Sequence, residues 1–140
     1  MKATSQGIAD AALGMVGTPF KHRGRKPGVA LDCVGVVLCA VWSAGCDLPD
    51  CIGYGPLPKA DYLLQELGKR AKRIAWTNAH AGDVLLFEHR GNDPMHFGIL
   101  VHGDAVVHAR RAAGKVIKEH LSEPLRMKVH SIWRPEGING

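Results

Sequence analysis

The stretch Ala30-Leu31-Asp32-Cys33-Val34-Gly35-Val36-Val37-Leu38-Cys39-Ala40-Val41-Trp42 is apolar on nearly every side, which is the pattern of a helix buried all round. Asp32 stands before the run as an N-cap, and Gly45 follows it as a C-terminal stop. Cys33 therefore falls in the first turn. Unpaired backbone N–H groups and the helix dipole there favour a thiolate over a thiol. A thiol nucleophile needs a base, and the base needs an orienting group. His96 and His108 lie far downstream, in a strand-rich segment.

Upstream of this run, residues 4–15 read as a helix with Ile8, Ala11, Ala12 and Met15 on one stripe and Gly17 as its stop. Residues 17–30, rich in Gly, Pro and Arg, read as a loop delivering the chain to Cys33. Downstream, residues 45–58 form a second loop and residues 60–67 a short helix carrying Leu63, Leu64 and Leu67. The period then changes to two. Residues 84–87, 97–101, 105–109, 115–118 and 128–133 read as strands, with turns at Gly82-Asp83, Gly91-Asn92-Asp93-Pro94, Gly103-Asp104 and Gly114. Helices first and strands afterwards predict an α+β fold, with N-terminal helices on an antiparallel sheet of five or six strands. No repeat, low-complexity tract or linker divides residues 1–140, so one domain is expected.

An apolar fraction of 46% excludes a disordered chain. Lys and Arg outnumber Asp and Glu by 18 to 13, mostly through the runs at residues 21–26 and 69–73. Aromatic residues do not alternate with those charges, so a nucleic-acid platform is not supported. No secretory signal or membrane-spanning stretch is visible, and the expectation is a chain made in the cytoplasm. The four cysteines, Cys33, Cys39, Cys46 and Cys51, have five, six and four residues between them and form no Cys-x-x-Cys pair. A disulfide framework or a metal centre is therefore not expected, and no cofactor is called for.

A hairpin argument joins the histidines. If His102-Gly103-Asp104 is a three-residue loop, Val101 faces Ala105 and Gly98 faces His108. His96 and His108 are then diagonal neighbours on one sheet face, about 7–8 Å apart at the backbone. A two-residue loop would put them on opposite faces. In the first register, Cys33 is the nucleophile and His96 the base that takes its proton. His108 orients His96, and the backbone N–H of Cys33 contributes to an oxyanion site. The reaction is acyl transfer to water through a thioester. The bland alternatives are a packed cysteine and two structural histidines.

The chain also resembles the NlpC/P60 family of papain-like cysteine peptidases. Gly17-Thr18-Pro19-Phe20 and Asp32-Cys33-Val34-Gly35-Val36-Val37 are similar to the family's Gly-x-Pro-Tyr and Asp-Cys-Ser-Gly-Leu-Val stretches. Gly82-Asp83-Val84-Leu85-Leu86-Phe87 resembles its Gly-Asp-Leu-x-x-Phe strand. Met95-His96-Phe97-Gly98-Ile99-Leu100-Val101 with Val106-Val107-His108-Ala109 resembles its histidine hairpin. The resemblance implies Cys33, His96 and His108 as the catalytic set. It also implies cleavage of bacterial cell-wall stem peptides beside γ-D-glutamyl and diaminopimelate units. Phe20 stands where many members carry a site-lining Tyr, and the basic loop 21–26 replaces a Trp-Gly-Gly run. Phe20, Asp32 and Gly98 are the candidate substrate-contacting positions.

The closing Ile132-Trp133-Arg134-Pro135 and the signal-free build resemble the phage-encoded branch. That implies tail or baseplate proteins as partners and a virion tail acting at the wall. The alternatives are a non-wall substrate, a structural tail-tip protein with a vestigial or partner-dependent site, and a metal-binding module built on Cys39, Cys46 and Cys51.

Overall fold

A computed structural model of the chain describes residues 4–50, 61–88 and 94–138. Thr4 opens helix α1 (Ser5–Leu13) by accepting the Gly7 N–H on its hydroxyl at 2.9 Å. That helix packs against α2 (Cys33–Ser43), in which every residue from Cys33 to Val41 is buried. Asp32 caps α2, its Oδ1 accepting the Gly35 N–H at 2.7 Å. The chain leaves α2 through Ala44 and Gly45, the latter at φ 92 in the left-handed region.

The segment before α2 was expected as a loop, yet it folds into an antiparallel ribbon of β1 (Arg25–Lys26) and β2 (Ala30–Leu31). Strands of two residues leave no readable period, so nothing in the residue pattern marks them. The ribbon is tied to the helix by charge. Arg25 reaches Asp32 Oδ1 at 2.9 Å and Asp50 Oδ1 at 3.0 Å. Gly24 lies directly on the first turn of α2, and a Cβ at Gly35 would collide with its carbonyl oxygen.

Beyond α3 (Asp61–Arg70), six strands form one antiparallel sheet: β3 (Ala71–Arg73), β4 (Val84–Glu88), β5 (Pro94–Val101), β6 (Ala105–Arg110), β7 (Lys115–His120) and β8 (Val129–Pro135). Their spatial order is β3-β8-β4-β5-β6-β7. A single-turn helix, α4 (Glu123–Arg126), connects β7 to β8. The basic run 69–73 splits between two elements. Lys69 and Arg70 end α3, where positive charge suits the helix dipole and Glu66 pairs with both. Ala71 to Arg73 pair with Pro135 to Trp133, and this is the strand the charge run concealed.

Strand β4 explains why its sequence is continuously apolar. Val84 and Leu86 join Phe97, Ile99 and Val107 in the core beneath α1 and α2. Leu85 and Phe87 face a smaller cluster with Leu100, Val106 and Ile132. A strand covered on both faces has no polar alternation to show. Asp83, fully buried ahead of β4, is gripped by Arg134 of β8 through Nε at 2.8 Å and Nη2 at 2.9 Å.

Candidate active site

The β5–β6 turn decides how the histidines meet. Val101 pairs with Ala105, leaving the three residues His102, Gly103 and Asp104 as the loop. Gly103 and Asp104 both take positive φ, at 76 and 52. His96 and His108 consequently share a sheet face, and His96 Nε2 lies 2.6 Å from His108 Nδ1. Gly98 makes this approach possible. A Cβ there would stand 2.6 Å from Val106 Cγ2 and 3.1 Å from His108 Cβ.

The β5–β6 ladder runs from Val101–Ala105 to Ile99–Val107 and no further toward the histidines. Cys33 comes to β5 beyond this last pair, where the Phe97 N–H favours its thiolate, as do those of Val34 and Cys33 itself. Cys33, His96 and His108 line one cavity of about 710 Å³. Phe87 forms part of its wall, with ring centroids 5.7 Å from His96 and 6.0 Å from His108. Phe20 lines the cavity as well, and the Arg111 guanidinium lies 5.1 Å above its ring.

The charge state of the sulfur differs from expectation. The helix start was expected to lower the Cys33 pKa, but burial outweighs it and pushes the thiol up to about 12, with the Asp32 carboxylate adding to the rise. Cys33 is only 1% exposed, so its anion is poorly solvated even at a helix N-terminus. At rest Cys33 is a neutral thiol at the cavity wall. His108, 2% exposed, is also held neutral. Burial lowers its pKa from 6.5, more than the bonded Glu119 raises it.

Asp32 takes a different place from the one expected of a substrate contact. It is fully buried, with Oδ2 accepting the Arg23 N–H at 2.9 Å while Oδ1 serves Gly35 and Arg25. It anchors the helix start from behind. Cys39 is buried, its thiol donating to the Arg25 carbonyl at 3.3 Å, and Cys46 is half-buried. Cys51 lies outside the described residues, among which no cluster of three or more metal-binding side chains occurs.

Glu119 was not expected at the site. Its Oε1 accepts from His108 Nε2 at 2.9 Å and lies 3.5 Å from Arg110 Nη1. The strand runs to His120, two residues past the 115–118 expected from the sequence. Val106 pairs with Glu119 and His108 with Ile117, so extending the alternation by one residue sets Glu119 diagonally beside His108. The cavity lining also includes Arg110, Arg111 and Lys128, from the end of β6, its turn and the approach to β8, together with the acidic Glu88 and Glu119.

The NlpC/P60 family model matches residues 17–134. An NLP/P60 family protein similar to lipoprotein from Staphylococcus aureus subsp. aureus Mu50 superposes with a TM-score of 0.68 at 23% identity, over 97% of this chain and 42% of the other. The peptidoglycan hydrolase RipB of Mycobacterium tuberculosis gives 0.68 at 16% identity, over 97% of this chain and 65% of RipB. RipD of Mycobacterium tuberculosis, a non-catalytic NlpC/p60 domain protein adapted to peptidoglycan binding, gives 0.64 at 14% identity, over 94% and 96%. This chain thus spans less than two thirds of the first two. No curated protein matches it. Among the described residues, no helix is long and apolar enough to cross a membrane.

Proposed function

We propose, from the premise that this chain belongs to the NlpC/P60 family, that it is a cysteine endopeptidase acting on bacterial cell-wall stem peptides. The observation that carries this reading is the opening of Cys33, His96 and His108 onto one cavity, with the two imidazoles hydrogen-bonded. Because the thiol is protonated at rest, His96 acts as a general base during attack. The Cys33 sulfur bonds to the scissile carbonyl carbon as its proton passes to His96. His96 then protonates the departing amine, leaving a thioester, and water releases the acyl group by the same route in reverse. Arg110, Arg111 and Lys128 give the wall positive charge suited to the carboxylates that stem peptides carry.

The phage-tail assignment is a further part of this proposal. It rests on the resemblance of Ile132-Trp133-Arg134-Pro135 to that branch and would make tail or baseplate proteins its partners at the wall.

The second reading is a wall-binding or tail-tip protein without turnover, a state RipD exemplifies among similar folds. The 1% exposure of Cys33 favours it. Digestion of purified peptidoglycan by wild type and Cys33→Ala, with released peptides identified by mass, tests the choice. Cleavage by wild type alone is expected. Cleavage that persists in the alanine variant would remove Cys33 as nucleophile, and wall binding without cleavage by either protein would favour the second reading.

A further inference from the structure

We propose that Glu119 is a positioning residue of this site, fixing the tautomer of His108 and, through it, that of His96. The inference rests on the peptidase reading for its consequence, but its geometry stands alone. A carboxylate accepts and cannot donate, so the 2.9 Å contact requires His108 to carry its proton on Nε2. A neutral imidazole with a proton on Nε2 has only a lone pair on Nδ1. The 2.6 Å contact to His96 therefore requires His96 to donate from its own Nε2. His96 Nδ1 is left as the basic nitrogen. One carboxylate two rings away thus selects which nitrogen of His96 carries the proton and which the lone pair.

The same chain of bonds serves the charged state. When His96 gains a proton on Nδ1, its Nε2–H still donates to His108, and the Glu119 charge lies at the far end of that relay. Glu119 Oε1 also lies 3.5 Å from Arg110 Nη1, a second contact that steadies the carboxylate beside His108. No proton needs to reach Glu119 for this role.

The test is ¹⁵N NMR of the histidine rings in wild type, Glu119→Gln and Glu119→Ala, with peptidoglycan turnover measured alongside. Wild type is expected to show Nε2–H tautomers for both His96 and His108. Gln retains an acceptor oxygen and is expected to keep them. Ala is expected to give mixed tautomers, with kcat lower by about 10- to 100-fold and KM little changed. Folding of the variants is checked by unchanged backbone spectra, and Glu119 is partly exposed, so truncation leaves little cavity. Identical tautomers in wild type and Glu119→Ala would overturn the inference while leaving the peptidase reading intact. Absence of turnover in wild type would defeat the peptidase reading, and the ring spectra would still decide the role of Glu119.

Discussion

His96 and His108 are joined Nε2 to Nδ1 at 2.6 Å, across a pair of strands whose ladder has already ended at Ile99–Val107. Backbone pairing gives way to side-chain pairing at the place where Cys33 arrives. The site is assembled where the sheet stops satisfying itself.

The first prediction concerns the sulfur. With its pKa pushed up to about 12 by burial, Cys33 should alkylate slowly at neutral pH, and its rate should climb through the alkaline range beyond that of an ordinary thiol. Iodoacetamide labelling read by peptide mass at each pH separates it from the other cysteines. A labelling midpoint near or below pH 8 would show that the cleft stabilises the anion after all.

His108 sets the acid limit. Its pKa is lowered from 6.5, chiefly by burial, against the raising effect of Glu119 and with Arg110 lowering it further. Unfolded chains therefore take up this proton before native ones, and the stability tied to neutral His108 is complete above about pH 6.5 and lost as pH falls below it. Urea midpoints measured from pH 7.5 downward should fall more steeply for wild type than for His108→Asn. Parallel slopes would contradict the assignment.

Gly98→Ala tests the close approach of the hairpin. Its Cβ would meet Val106 and His108 at 2.6 and 3.1 Å, so β6 must shift. A stability loss of about 1–3 kcal/mol is expected from such overpacking. Turnover should fall further than stability alone explains, because the His96–His108 bond lengthens with the shift. A crystal structure of the variant with that bond unchanged would refute this.

Arg111, over the Phe20 ring at the cavity wall, is placed to attract an anionic peptide. Arg111→Ala should raise KM about two- to fivefold with kcat nearly constant, in keeping with an exposed ionic contact. The effect should shrink in high salt. A kcat loss at constant KM would instead place Arg111 in the chemistry.

The fold was legible where local chemistry and tertiary environment agreed. Asp32, the apolar run behind it and Gly45 mark α2 at both ends, and the observed helix follows them. The three-residue turn His102-Gly103-Asp104 sets the hairpin register, with Val101 facing Ala105. Strand β3 was hidden because Lys72 and Arg73 are exposed at the sheet edge, where only the backbone pairing with β8 makes them strand. The charge state of Cys33 was illegible for another reason. Sequence places a cysteine at a helix start, but only packing says how much water reaches it. Glu119 lies one residue past the end expected at 118, at the margin where periodicity fades.

The burial that holds Cys33 protonated also bears on its survival. The thiolate, not the thiol, attacks a peroxide oxygen and expels hydroxide, so the first step toward sulfenic acid is slow for a thiol kept neutral and out of solvent. If Cys33 acts as the peptidase reading has it, the sulfur is open to oxidants only in the moments when its proton rests on His96.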